Sequence, residues 1–448
     1  MTIRLRDIRD CFEGVVPSII ATTDSGGTPN ISYLSQVYYV DDGHVALSNQ
    51  FFSKTAANVA ATGRATVMVV HARSGAQFLL DLAFERSETE GALFERMAAQ
   101  LRAVSSQHGM ETLMALRSAD VYRVLGCRAV TSAAAAAAPP EEPAVPPSER
   151  LAAAARLSAA IGAETDADRM LDRALDGLAE AFGFENLMIL VPDAAGRHLT
   201  TLASRGYQTA GVGSEVDFGR GVVGIAAEAR RPVRLCDMSR GRRFAAAVAA
   251  PLAGDAQRVI PLPGLREPMS QLAVPMLSGG RLRGVLFAES EARFRFTPED
   301  EDLVALVAAP LAAALATAAE PEEREPEAAP PGRALPAGAA GIRIRYFAHD
   351  DSVFIDDAYL IKGVPGRLLF HLLETHARSG RRDFTNRELR VDPALRLPDL
   401  KDNLETRLIL LRRRLAERNA PIQLSRPARG RLRLELSGQP ALEVVPRG

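Results

Sequence analysis

A chain of 448 residues is about three times the ~150 residues of a typical domain, so the sequence predicts several folded units. Hydrophobic residues make up 47% and charged residues 24%, which excludes collagen-like, wholly disordered and disulfide-scaffold classes. The net charge is −1, but residues 341–448 carry 21 Lys and Arg against 14 Asp and Glu, a net charge of +7. A polyanionic partner is therefore expected only at this end of the chain.

Two segments rich in Pro, Ala and Glu separate three stretches of patterned sequence. Residues 131–148 and 319–341 show no hydrophobic periodicity and cannot bury a core, so both are predicted to be linkers. The predicted folded units are residues 1–130, 149–318 and 342–446. Together they predict a multidomain α+β protein.

The cysteines and the apolar segments bear on the cellular location of the protein. Cys11, Cys127 and Cys236 lie far apart and form no CxxC pair, so no metal site is predicted and a reducing cytoplasm is expected. The charged N-terminus lacks the apolar core of a signal peptide. Residues 303–319 are uncharged but rich in Ala and shorter than the ~20 residues of a membrane span. We therefore expect a cytoplasmic protein without membrane association.

Short alternating strands dominate the first unit. The runs at 16–22, 30–39 and 44–48 are separated by the turn sequences DSGGTPN and DDG, which predicts antiparallel strands joined by hairpins. A helix is predicted from an N-cap at Ser53 to a stop at Gly63. Further strands and one more helix follow, and this content predicts a small β-barrel.

The first unit resembles the flavin split barrels of the pyridoxamine 5′-phosphate oxidase-like superfamily, through its GTPN turn, its DDGH hairpin and Ser53-Lys54-Thr55 with Asn58. The resemblance implies an antiparallel split β-barrel and FMN as cofactor, with the flavin phosphate and ribityl chain at Ser53, Lys54, Thr55 and Asn58. A helix N-terminus beside a lysine suits a phosphate group. The alternative is that Ser53 only caps the helix and Lys54 is solvated.

Two departures from the family limit what the first unit is expected to do. The additional phosphate-binding arginine is missing between Gly14 and Gln50, and the C-terminal Arg, His and Trp elements for the substrate are absent. A true pyridoxamine 5′-phosphate oxidase is therefore not expected. No Ser/His/Asp, Cys/His or paired-carboxylate arrangement is recognisable, so no catalytic residue is assigned.

The second unit begins with helical segments, including a predicted capping box at Thr165–Asp168, and continues with short strands. The order FGRGVVG, RPVRLCDMS, SQLAVPM, LRGVLFAES and FTPEDEDL strongly resembles a GAF domain. The resemblance implies an α/β sandwich, a pocket for a small ligand that the sequence does not identify, and dimerisation through flanking helices. FGRGVVG fits neither GxxxxGK[ST] nor GxGxxG, so it is not a predicted phosphate loop.

Cyclic-nucleotide binding and a reactive cysteine are two functions considered for the GAF-like unit, each with a structural alternative. Phe296, Asp300 and Glu301 have the spacing of the cyclic-nucleotide branch, but the upstream Asn/Lys half of that motif is missing and a generic helix start is the alternative. Cys236 is either a thiol sensor or bilin attachment point, or a buried structural cysteine. No His or basic pair is recognised beside it in the sequence, which favours the structural cysteine.

The third unit combines short strands, a helix, capping boxes at Thr385–Glu388 and Asp402–Glu405, and a final hairpin. This layout resembles the winged helix-turn-helix of OmpR/PhoB-type response regulators, which implies DNA binding. Four leucines of the recognition helix would face the core: Leu404, Leu408, Leu411 and Leu415. Seven arginines would contact phosphates: Arg407, Arg412, Arg413, Arg414, Arg429, Arg431 and Arg433.

Ile409 and Leu410 occupy positions where the family has polar side chains facing the groove, and the Gly-Tyr of the wing is absent. A solvated basic helix or a protein-interaction module is therefore the alternative. The leading hypothesis is a homodimeric regulator whose split barrel and GAF domain bind small ligands and whose winged helix binds DNA or a protein. The main rival is an FMN-dependent oxidoreductase with regulatory GAF and C-terminal domains, and a ligand-free scaffold is the third.

Overall fold

The computed structural model describes residues 3–50, 54–106, 115–130, 146–193, 195–239, 260–317, 341–397, 404–428 and 430–446. Three α+β units follow one another along the chain, each with its own β-sheet or pair of sheets. Among the described helices, none combines the length and apolar character that crossing a membrane requires.

The first unit is a seven-stranded antiparallel sheet with the order β2-β1-β5-β6-β7-β4-β3. Its strands are β1 Ser18–Thr23, β2 Pro29–Leu34, β3 Val37–Asp41, β4 His44–Asn49, β5 Arg64–Val70, β6 Gln77–Glu88 and β7 Ser118–Val130. Its helices are α1 Lys54–Thr62 and α2 Ala92–Ser106, and a 3₁₀ helix spans Leu5–Phe12. The predicted antiparallel sheet is confirmed, while its closure into a split barrel stays a prediction.

The predicted single strand over residues 30–39 was wrong, because the chain breaks at Ser35 and Gln36 into β2 and β3. Strand β2 pairs with β1 and strand β3 pairs with β4, so the two halves lie at opposite edges of the sheet. The backbone N of Gln36 donates to Ser48 Oγ at 3.1 Å, and that hydroxyl donates to Gln36 O at 3.2 Å. These bonds hold the break against β4.

The second unit has a six-stranded sheet between two helical layers. Its strands, in sheet order, are β10 Glu215–Asp217, β9 His198–Arg205, β8 Asn186–Pro192, β13 Arg281–Ser290, β12 Ser270–Ser278 and β11 Val233–Leu235. The helices are α3 Pro147–Ala163, α4 Ala167–Phe182, α5 Gly221–Ala229 and α6 Pro298–Thr317. Leu187 and Ile189 join the cluster of α3, α4 and α6, while Met188 and Leu190 join that of α5. This alternation builds a sandwich with two apolar faces.

The start of α4 differs from its prediction in one detail. Asp166, not Thr165, is the N-cap, and its carboxylate accepts from the backbone N of Asp168 and of Arg169. A carboxylate at this position satisfies free backbone donors of the first turn. The side chain of Asp168 is therefore available for other contacts.

The described residues of the third unit form two sheets and three helices. The first sheet has the order β16 Ala358–Ile361, β15 Ser352–Ile355, β14 Gly341–Phe347 and β20 Gln439–Val445, and the second β17 Asp383–Thr385, β19 Arg431–Leu436 and β18 Ile422–Ser425. The helices are α7 Gly363–Ser379, α8 Asn386–Val391 and α9 Leu404–Glu417, and a short 3₁₀ turn spans Pro393–Leu395. The parallel pairing of β14 with β20 was not predicted.

Local predictions for the third unit agree with the structure where they can be compared. The capping box of Thr385 and Glu388 is present at the start of α8, whereas Asp402 lies outside the described residues. The four predicted core leucines of α9 are all exposed by 2% or less. The assignment of this unit as a winged helix stays a prediction.

Candidate functional site

The corner between β4 and α1 contains the predicted flavin-phosphate residues. Lys54 is the first residue of the nine-residue helix α1 and is exposed to solvent, while Ser53 lies outside the described residues. The first backbone N–H groups of a helix have no partner within the helix and favour an anion. The exposed Lys54 thus lies at the N-terminal end of α1, the position that the resemblance assigns to the flavin phosphate.

Thr55 and Asn58 have a different environment, since each is only 4% exposed. Asn30 Nδ2 donates to Thr55 Oγ1 at 3.0 Å, and Thr55 Oγ1 donates to Ser32 Oγ at 3.3 Å. Asn58 Nδ2 donates to Thr22 Oγ1 at 3.2 Å. These bonds attach α1 to β1 and β2, so both side chains support the corner from inside the domain.

Gln50, the residue that follows β4, belongs to this corner and was missed by the sequence analysis. It is 3% exposed, and its Oε1 accepts from Ser35 Oγ at 3.1 Å. Among the residues that the structure describes, its buried Nε2 has no hydrogen-bond acceptor. A buried donor without a partner is costly and marks a place where a ligand oxygen would be favourable. Phosphate binding at this corner stays a prediction.

A second candidate site lies between the first and second units, around Arg234 on β11. Arg234 Nη1 and Nη2 contact the two carboxylate oxygens of Glu13 at 2.5 and 2.9 Å, and Arg234 Nε lies 3.4 Å from Glu301 Oε2. Arg96 of α2 pairs with the other oxygen of Glu301. We call Arg234, Glu13, Glu301 and Arg96 the junction cluster. Their side chains are 11%, 12%, 6% and 32% exposed.

Two adjoining cavities border the junction cluster, and both have walls from the first and the second unit. Both are open to solvent, and they share Glu13, Arg234 and Pro298. Tyr38 and Gln36 line the larger one. Sequence reasoning missed this site because its charged residues come from four separate elements and form no local motif.

Cys236 lines the smaller cavity and is 5% exposed, as expected for a buried cysteine. The stated reason for that expectation was wrong, because Arg234 Nη1 lies 2.9 Å from its Sγ, which in turn donates to Glu13 Oε2 at 3.0 Å. Two-residue spacing along an extended segment places both side chains on one face. Burial nevertheless raises the pKa of the Cys236 thiol well above its ordinary value, with Arg234 opposing that shift. The thiol is therefore protonated.

Burial also acts on Arg234 and lowers its pKa, but the carboxylates of Glu13 and Glu301 outweigh this effect and hold the pKa of Arg234 well above its ordinary value. The guanidinium is therefore charged. A charged arginine between two buried carboxylates makes the junction between the two units depend on ion pairing.

The residues weighed as a cyclic-nucleotide motif have structural partners. Phe296 packs edge-on against Phe184 with 5.4 Å between ring centroids. Asp300 accepts from the backbone N of Thr297 at 2.8 Å and pairs with Arg150, while Glu301 belongs to the junction cluster. These contacts agree with the plainer alternative, a helix start. Within the described ranges, no three His, Cys, Asp or Glu side chains are grouped to hold a metal ion.

The third candidate site is the basic helix α9. Arg407 and Arg414 are only 7% and 6% exposed, and Arg414 donates to Leu360 O at 2.9 Å and to Glu417 Oε2 at 2.8 Å. Arg433, on β19, pairs with Asp383 at 2.7 Å. Of the other predicted phosphate contacts on the hairpin, Arg431 is partly exposed and Arg429 lies outside the described residues.

Arg412 and Arg413 contact the second unit. Arg412 pairs with Asp168, and Arg413 pairs with Asp168 and, at 2.7 Å, with Asp172. The sequence analysis did not connect these residues, since a helix start rich in Asp has an ordinary explanation in the helix dipole. The contact brings the predicted DNA-binding arginines together with carboxylates of α4.

Family models match two of the three units. A model described as pyridoxamine 5′-phosphate oxidase matches residues 6–125, and a GAF domain model matches residues 164–316. The chain therefore contains a pyridoxamine 5′-phosphate oxidase-like domain followed by a GAF domain. None of the curated proteins compared with this chain matches it.

Solved structures resemble parts of the chain. A GAF domain from an Acinetobacter phosphoenolpyruvate-protein phosphotransferase is 22% identical, with 38% of this chain and 93% of that chain covered and a TM-score of 0.32. An FMN-binding protein from Syntrophomonas wolfei is 18% identical, with 28% and 88% covered and a TM-score of 0.25. A free methionine-R-sulfoxide reductase from Neisseria meningitidis is 22% identical, with 40% and 95% covered and a TM-score of 0.30.

Proposed function

We propose that this protein, which carries a pyridoxamine 5′-phosphate oxidase-like domain and a GAF domain, is a cytoplasmic, homodimeric regulator. In this proposal the two domains bind small ligands, FMN and an unidentified GAF ligand, and the third unit is a winged helix that binds DNA. The net charge of +7 on residues 341–448 supports a polyanionic partner for the third unit.

One observation carries the regulatory part of the proposal: the arginine-rich helix α9 packs against β9 and α4 of the GAF domain. A change in the GAF domain therefore acts directly on the helix that would read DNA. An output unit that was only tethered to its neighbours would have no such connection.

FMN is proposed for the corner at α1, with Lys54, the backbone amides of the first turn and Gln50 as the groups that meet its phosphate end. Bound flavin supplies hydride or single-electron chemistry, or a redox-dependent signal. Replacing Lys54 by Ala is expected to weaken FMN binding about tenfold or more, since a charge-assisted phosphate contact contributes ~1.5–3 kcal/mol. Arg64→Ala, which removes an exposed cation just after the other end of α1, is the matched control. Equal FMN affinities of the two variants in a fluorescence titration would refute the site.

DNA binding is tested by titrating the full chain against random and genomic DNA at two salt concentrations. Because Ile409 and Leu410 offer no hydrogen bonds to bases, phosphate contacts are expected to dominate, with weak sequence discrimination and a steep loss of affinity with salt. Tight sequence-selective binding that hardly responds to salt would contradict this assignment of the helix face. No binding at low salt would favour a protein-interaction output.

The alternative is an FMN-dependent oxidoreductase, and the match of residues 6–125 to an oxidase model favours it. In that case the GAF domain and the third unit regulate or assemble the enzyme. The purified protein would be yellow, and its flavin would turn over with a reductant and a small-molecule acceptor. A protein that takes up no FMN under any condition would exclude this alternative and leave the regulator with the GAF ligand alone.

A further inference from the structure

We propose that the GAF domain holds helix α9 in an autoinhibited position, and that Asp168 and Asp172 of α4 compete with nucleic acid for Arg412 and Arg413. The proposal rests on the proposed DNA-binding function only for the identity of the ligand that replaces α4. The docked position of α9, called the closed contact below, is inferred from the ion pairs and hydrogen bonds between the GAF domain and the third unit.

Charge pairing forms the centre of this contact. Arg413 Nε lies 2.5 Å from Asp168 Oδ1 and its Nη2 lies 2.7 Å from Asp172 Oδ1, while Arg412 pairs with Asp168 Oδ2. The side chains of Arg412, Arg413 and Asp168 are 24%, 18% and 13% exposed. Two arginines that the winged-helix resemblance assigns to DNA phosphates are therefore bound to protein carboxylates.

Further polar contacts flank this centre on both sides. Lys362 Nζ lies 2.8 Å from Glu215 Oε2, and the backbone N of Gly211 donates to Glu417 Oε1 at 2.7 Å. Arg426 pairs with Glu405 of α9 and lies 4.0 Å from Asp166 Oδ2. The contact thus extends along α9 and to the hairpin that follows it.

Two apolar residues of α9 that do not fit a DNA-reading helix are buried in the docked arrangement. Ile409 and Leu410 are 1% and 2% exposed and belong to one continuous apolar cluster with Leu202 and Val212 of the GAF domain. Apolar side chains at groove-facing positions contribute little to base recognition but are suitable for packing against a protein. While α9 is docked, these positions cannot enter a DNA groove.

The chemistry of the contact makes it reversible by a polyanion. Carboxylates and phosphates are both acceptors for the same guanidinium groups. Partly exposed ion pairs are weakened by salt and by removal of either partner. If the protein binds DNA only when α9 is free, its apparent affinity is the intrinsic affinity multiplied by the fraction of open molecules.

The test uses the full chain with the double variant Asp168→Asn, Asp172→Asn. Asp166 remains as the N-cap of α4, so the helix keeps its start. Asp176→Asn is the matched control, because Asp176 lies one turn further along α4 and pairs with Arg205 of the GAF domain rather than with α9. Circular dichroism and thermal melting verify that the three proteins are folded.

Two readouts are measured at the same moderate salt concentration: hydrogen exchange of the backbone amides of α9, and affinity for a random DNA duplex. The double variant is expected to exchange at α9 at least tenfold faster than the wild type and to bind DNA about tenfold or more tightly. The control variant is expected to match the wild type in both.

Unchanged exchange at α9 in the double variant would overturn the autoinhibitory contact, whatever the DNA affinity. Faster exchange without any DNA binding would support the closed contact and refute DNA as the output ligand. Faster exchange in the control as well would show that charge loss anywhere on α4 loosens the unit, and would also overturn the specific role of Asp168 and Asp172.

Discussion

Replacing Arg234 by Met is expected to weaken the junction between the first and second domains. The substitution keeps much of the side-chain volume but leaves Glu13 and Glu301, which are 12% and 6% exposed, without their shared cation. Breaking a buried ion pair from one side costs about 3–5 kcal/mol because the remaining charge stays buried. Arg96 still pairs with Glu301, so the lower end of that range is expected.

The free energy of unfolding is measured by urea titration of the full chain, followed by far-UV circular dichroism. Arg205→Met is the matched control, since Arg205 and Asp176 form a pair at 2.7 Å with side chains 39% and 57% exposed. An exposed pair contributes less than about 1 kcal/mol. Adding Glu13→Gln to Arg234→Met removes the uncompensated charge and is expected to restore more than half of the loss. Equal losses for Arg234→Met and Arg205→Met would refute the buried junction.

Three further expectations concern packing, thiols and assembly. Gly366→Ala should destabilise the protein by about 1–3 kcal/mol, since the new Cβ would lie 2.0 Å from Asp351 O. Gly162→Ala, whose Cβ would meet nothing within 4 Å, should stabilise the protein by about 0.5–1 kcal/mol. A higher melting temperature for Gly366→Ala than for Gly162→Ala would contradict this. Burial raises the pKa of both Cys127 and Cys236, that of Cys236 well above its ordinary value, so at pH 8 a thiol reagent should label the half-buried Cys127 first. Equal labelling of the two in the native protein, measured by peptide mapping, would disprove this. Light scattering should give a dimer at micromolar concentration, and a monomer would contradict the proposed assembly.

Short-range sequence patterns were sufficient to predict much of the secondary structure and the division into units. The alternation of apolar residues, the capping box at Thr385–Glu388 and the leucine face of α9 are short-range patterns, and each is present in the structure. Two of the three predicted units also match family models. Such features are readable because the residues that define them lie within a few positions of one another.

Tertiary packing decided the remainder. The run over residues 30–39 has a continuous strand pattern, but its two halves pair with different strands, β1 and β4, and lie at opposite edges of the sheet. The partners of Arg234 come from distant elements of both neighbouring domains, so no local pattern predicts its ion pairs. The sequence pattern of α9 identifies its leucine face and its arginines, but it does not identify the partners of those arginines. Only the docking of that helix on the GAF domain determined that Arg412 and Arg413 face carboxylates, since long-range charge pairing depends on where folded units meet.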